Sequence, residues 1–214
     1  MAHTYLRFPA APNLPLASEQ WDMRYQDQFA NVLRLYFNQL SNGLQELGAP
    51  LGGSHLSFPC GAAQRTTNLT FTVNTPTLVT LDTNDFLNGV SNPGNDGLIV
   101  SRTGIYNYQF SIQFANTDVQ LHTAYVWLRI NGADAPGTGS KFDVPNHHGS
   151  VDGYLIAVAN FYVELNAGDY VSLYCAVDNI AVYMEAYAAQ TVPFAMPSIP
   201  SAVATLSFVT APAA

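Results

Sequence analysis

From Tyr106 to Phe114 apolar and polar side chains alternate without a break. Tyr106, Tyr108, Phe110, Ile112 and Phe114 point one way, and Asn107, Gln109, Ser111 and Gln113 point the other. A period of two is the repeat of a β-strand, and polar residues on alternate positions mean that just one of its faces is buried. Such a strand needs a second layer to cover its apolar side. Further rows can supply that layer. Leu69, Phe71 and Val73 alternate with threonines. Ala124, Val126, Leu128 and Ile130 run to Asn131-Gly132, a hairpin signal. A dense apolar stretch spans Tyr154 to Leu165. Val171, Leu173, Cys175 and Val177 follow, then Ile180, Val182, Met184 and Ala186, and last Ala204, Leu206 and Phe208. About seven or eight strands with no helical segment between them predict an antiparallel sandwich over residues 67–214.

The residues before it have a different character. Within 1–18, Pro9, Pro12 and Pro15 block helix and central strand alike, predicting an extended arm. Its Tyr5, Leu6, Phe8, Leu14 and Leu16 need a partner surface to be buried, so the arm is expected to dock on a partner or to hang as a free tail. Residues 19–47 read as one helix about 40 Å long, capped by Ser18 and stopped by Gly48 and Pro50. Phe29, Leu33, Tyr36 and Leu40 follow heptad spacing, and Val32, Leu35 and Phe37 widen the apolar face. The helix is read as a stalk, a docking element, or a cover for the sandwich. Residues 48–66, rich in glycine and proline, are expected to be a linker.

Charge narrows the partners. Only 10% of the 214 residues are Asp, Glu, Lys or Arg, against about 25% in ordinary soluble domains. Lys141 is the single lysine. A chain so poor in charge hides its surface in an assembly, or else carries a neutral Ser/Thr/Asn surface. The net charge of -8 and the lack of any basic run argue against nucleic acid. No stretch reaches the ~20 apolar residues of a membrane span, and residues 1–11 lack the pattern of a signal peptide. Synthesis and assembly in the cytoplasm are therefore expected. Cys60 and Cys175 read as free thiols.

Three phrases recur together: Gly104-Ile105-Tyr106-Asn107-Tyr108-Gln109-Phe110, Val126-Trp127-Leu128-Arg129-Ile130-Asn131-Gly132, and Leu165 to Leu173 with Gly168-Asp169 at its turn. Their order and spacing resemble the jelly roll of the tumour necrosis factor family and of the globular head of complement's first component. That resemblance implies a homotrimer held by aromatic and apolar side chains on one outer sheet. Tyr125, Trp127, Tyr162, Tyr170, Tyr174, Tyr183 and Tyr187 lie opposite the core rows and are the expected contacts, together with Phe29, Leu33, Tyr36 and Leu40 of the helix. The layout of Pro-rich arm, helix and jelly roll looks like small virion proteins of tailed bacteriophages, particularly podoviruses. It implies a virion structural protein: a capsid decoration or cement protein, or a fibre knob. The arm and helix would contact other virion proteins, and the loops 84–97, 115–122 and 131–150 would be free to touch a host glycan or protein. The alternative is a secreted or cell-surface ligand or carbohydrate-binding adhesin, which the lack of an export signal disfavours.

No chemistry stands out. There is no G-x-S-x-G and no histidine beside either cysteine. His147-His148 is a poor metal pair, since neighbouring residues rarely aim both rings at one ion. Asp82 with Asp85, or Asp134 with Asp143, are conceivable calcium ligands or plain loop carboxylates. Asn68-Leu69-Thr70 fits a glycosylation site that has meaning only on export. The expectation is a non-enzymatic protein without cofactor.

Overall fold

The computed structural model describes residues 9–16, 20–48 and 58–212. The chain divides into two compact units, Met1–Ser57 and Phe58–Ala214.

In the first unit, residues 9–16 form neither helix nor strand, and Leu14 and Leu16 are exposed. Tyr5, Leu6 and Phe8 lie outside the described residues, as do Ser18, Glu19 and residues 49–57 of the expected linker. Helix α1 spans Met23–Gly48, starting four residues later than the spacing predicted. Its cap is Asp22, not Ser18: the Asp22 carboxylate accepts the Arg24 backbone N–H at 2.9 Å, and the Asp22 carbonyl accepts that of Gln26. This satisfies donors that the first helical turn leaves unpaired. No side chain of α1 is fully buried. Tyr25, Phe29, Val32, Leu33, Tyr36, Leu40 and Leu47 are partly covered, while Trp21, Leu35, Phe37 and Leu44 are exposed. The heptad seam exists, and it is only half hidden.

The second unit is a mainly β, antiparallel sandwich of two sheets, consistent with a jelly roll. At the centre of sheet A lies β7 (Gly104–Asn116), the alternating segment, with all five inward side chains almost wholly buried. Along one edge β7 pairs over its full length with β11 (Gly153–Leu165). Along the other it pairs with β14 (Ala202–Thr210) and then with β13 (Val182–Met184), which carries β2 (Leu69–Thr70). Beyond β14 come β1 (Cys60–Arg65) and β4 (Thr83–Asn88). Sheet B runs β10 (Ser140–Val144), β8 (His122–Ile130), β12 (Tyr170–Val177), β6 (Leu98–Val100) and β5 (Val90–Ser91). The short β9 (Ala133–Asp134) pairs with β8, and β3 (Thr77–Leu78) with β12.

Between the sheets Tyr108, Phe110, Phe114, Leu128, Leu165, Leu173, Met184 and Leu206 form one apolar core. Each such side chain stabilises the fold by about 1.5–3 kcal/mol. The turns follow local chemistry. Asn131-Gly132 takes positive φ at both residues, as a two-residue hairpin between β8 and β9 requires, and Gly168 does so between β11 and β12.

Three expectations are corrected. The linker was expected to reach residue 66, but Cys60–Arg65 is strand β1, paired on both sides. Its small Gly61, Ala62 and Ala63 give no strand signal, yet they are what fits there: a Cβ on Gly61 would come within 3.0 Å of Leu87. Second, the row from Ile180 to Ala186 is broken, because Ile180 sits exposed in a turn and Val182 and Met184 alone reach the core. Third, the expected free loops 84–97 and 131–150 contain strands: Thr83–Asn88 is the exposed edge strand β4, and Ser140–Val144 is β10, paired with β8.

Candidate functional site

Two outer faces of the sandwich carry the expected aromatic residues, and they are on opposite sheets. Tyr125 and Trp127 (β8) and Tyr170 and Tyr174 (β12) belong to sheet B. Tyr162 (β11) and Tyr183 (β13) belong to sheet A, and Tyr187 follows in a loop bridged to Ile199. One expected surface is thus two.

On sheet A the register fixes what lies side by side. Tyr162, Asn160, Val158 and Ile156 of β11 stand against Asn107, Gln109, Ser111 and Gln113 of β7. The next strands add Ser207, Thr205 and Val203, then Cys60, Ala62 and Gln64. No charged residue occurs among these positions. Along β11 itself Tyr154 is 50% exposed, Ile156 59%, Val158 60% and Tyr162 67%. A strand thirteen residues long presents an apolar row to solvent, and among the described residues its second edge pairs with no other strand. Soluble proteins normally blunt such an edge with charge, proline or a covering segment. At the end of the face Glu185 accepts the hydroxyls of Tyr183 (3.1 Å) and Tyr187 (2.5 Å). Burial first, and the neighbouring carboxylate next, push Tyr183 up to about 12 and Tyr187 in the same direction.

Ile156 and Val158 were not foreseen. Their stretch reads as apolar on both faces, which is the pattern of a strand buried from both sides. Because Leu155, Ala157 and Ala159 between them are apolar too, the sequence carries no signal for which row faces out.

On sheet B, Trp127 and Tyr174 are register partners whose rings lie 6.1 Å apart at 31°. The Arg129 guanidinium sits 4.0 Å from the Tyr174 ring centre. Asp134 Oδ1 accepts both the Trp127 indole N–H and the Arg129 Nε–H, each at 2.6 Å. These bonds, that from Arg129 foremost, hold the Asp134 carboxyl below its usual range. A groove of about 300 Å³ adjoins the cluster, lined by Tyr125, Val126, Trp127, Gly139, Ser140 and Lys141.

The β7–β8, β10–β11 and β12–β13 loops meet at one end of the sandwich. His122 reaches Asp118 at 2.9 Å and Asp178 at 3.5 Å. His147 reaches Asp152 at 3.1 Å and the Gly149 carbonyl at 2.7 Å, while its backbone N–H donates to the Asp118 carbonyl. The His147 side chain ties its own loop, and its backbone joins that loop to the next.

The aspartates considered for calcium are engaged with protein donors. Asp82 accepts from Thr66, Thr67 and Thr83, Asp85 from Gln64, and Asp143 from Thr123. Among the described residues no group of three or more His, Cys, Asp or Glu is placed to hold a metal ion. No family model matches the chain, and no curated protein matches it.

Proposed function

We propose that this protein is a homotrimeric structural subunit of a bacteriophage particle, attached by its N-terminal arm and helix, with the jelly roll as its exposed part. One observation carries the assembly reading: the outer face of sheet A is uncharged across its middle, with Tyr154, Ile156, Val158 and Tyr162 at its β11 edge, and its carboxylates Glu164, Asp85 and Glu185 stand at the borders. Apolar side chains in a row, with polar but uncharged neighbours, match the charge-depleted centre of a subunit interface. Over these central positions copies of the same face meet without like-charge repulsion. A half-hidden heptad seam on α1 supports the same reading, since a helix with no fully buried side chain gains stability by packing on others. The virion assignment rests on the resemblance in layout and on charge poverty.

Light scattering on the full chain tests the assembly. The expected mass is three times 23.2 kDa, and Ile156→Asp with Val158→Asp should lower it to a single chain. A wild-type mass of one chain overturns the trimer. Peptides of this chain should also occur in purified particles of the phage that encodes it, and their absence overturns the virion reading.

A further inference from the structure

We infer that the groove on the outer face of sheet B is a binding site for a neutral saccharide. The inference goes beyond the assembly reading and uses the opposite face of the sandwich. Two residues expected at a subunit contact, Tyr125 and Trp127, are thereby given a different task.

The floor of the site is aromatic. Tyr125 and Trp127, two positions apart on β8, line the groove, and Tyr174, itself covered by Arg129, backs Trp127 from β12. Aromatic faces carry partial negative charge and attract the polarised C–H groups of a sugar ring. The platform is fixed before any ligand arrives. Asp134 anchors the indole N–H, and the same oxygen positions Arg129 over Tyr174. A site held in its bound shape loses less freedom on binding.

The rim decides the ligand class. Each charge beside the groove is matched within the protein, Arg129 by Asp134 at 2.6 Å and Lys141 by Asp143 at 3.4 Å. An ionic ligand would have to displace one of these partners. A hydroxyl-rich neutral ligand does not, because it can donate to the exposed Asp143 and accept from Lys141 while both stay paired. The volume of about 300 Å³ lies at the small end of ligand sites. It suits one or two sugar rings and is too small for a protein segment to gain much by entering.

The sequence provides a reporter, since it has two tryptophans, Trp21 and Trp127. With Trp21→Phe in the full chain, Trp127 becomes the sole indole. Its emission would be followed during titration with glucose, galactose, N-acetylglucosamine and lactose, with sialyllactose as the acidic comparison. At least one neutral sugar should give a saturable change at millimolar concentration. Gly139→Leu should abolish it, because a Cβ there meets nothing within 4 Å, so the side chain is accommodated and obstructs the groove. Lys141→Ala should weaken binding about ten-fold, through loss of a charged hydrogen bond. Circular dichroism verifies that each variant is folded; were Gly139→Leu to unfold, Lys141→Ala alone decides. No saturable response to any neutral sugar, saturation by the acidic sugar alone, or an unchanged response in the folded variants overturns the inference. Light scattering on the same samples reads subunit number separately, so failure of the trimer and failure of the sugar site are distinguishable.

Discussion

The hydroxyl of Tyr108 lies inside the sandwich with no hydrogen-bond partner, and burial pushes its pKa far upward. An unpaired buried hydroxyl costs more than it returns. Tyr108→Phe should therefore leave stability unchanged or raise it by about 1 kcal/mol, read as the midpoint of urea unfolding. A loss comparable to that of a cavity mutant would mean that the hydroxyl has a partner in solution. Gly153 makes the opposite case. A Cβ at this position would run into the Pro145 carbonyl, which is backbone and cannot rotate away. Gly153→Ala should destabilise by about 1–3 kcal/mol in the same unfolding assay, whereas Gly139→Ala, in open space, should be close to neutral. Neither residue could be singled out beforehand. Tyr108 reads as one more core aromatic, and a glycine shows nothing of the carbonyl that will face it.

Among the elements, the β10–β11 loop is tied by a titratable side chain. Both ring nitrogens of His147 face oxygen acceptors, Asp152 and the Gly149 carbonyl, so both donate only when the ring is protonated. Asp152 first, and the carbonyl second, raise the pKa of this histidine. A raised group contributes its full stabilisation below the ordinary histidine pKa of about 6.5, and the contribution fades as pH climbs through the raised value. The stability difference between wild type and His147→Gln should thus be largest in mildly acidic buffer and shrink towards pH 8, in paired unfolding curves. A difference that grows with pH would contradict the geometry. Legibility also varied by element. β7 was readable in full because one face meets the core and the other meets polar neighbours, so burial and sequence share a period. β1 was not readable, because its place between β14 and the edge strand β4 is filled by small residues, and small residues carry no strand preference. β4 was hidden for the reverse reason: an edge exposed on both faces leaves no apolar row. The aromatic residues were found by their outward parity, but parity within a strand does not say which sheet receives it. Hence Trp127 and Tyr162 were grouped although the fold separates them.

For the whole molecule, the apolar row of β11 on the outer face of sheet A would link assembly to stability. If copies pack on it, the folded state is favoured by mass action, and the thermal midpoint rises with protein concentration. Wild type should show that rise by differential scanning calorimetry, and the Ile156→Asp with Val158→Asp variant should not. A midpoint independent of concentration in both would leave β11 an exposed edge. The strand order has a separate consequence for how the chain is made. β1, which opens the sandwich, finds its long ladder on β14, which closes it, with Cys60 opposite Ser207 and Arg65 opposite Ala202. β14 is also wedged between β1 and β7. Until the ribosome has released the last strand, both neighbours lack their partner and the core stands open along that seam. The fold thus waits for β14, whose pairing with β1 closes a long loop, a slow kind of contact to form. A chain that stops before β14 lacks the closing strand, and its core stays open to proteases along that seam.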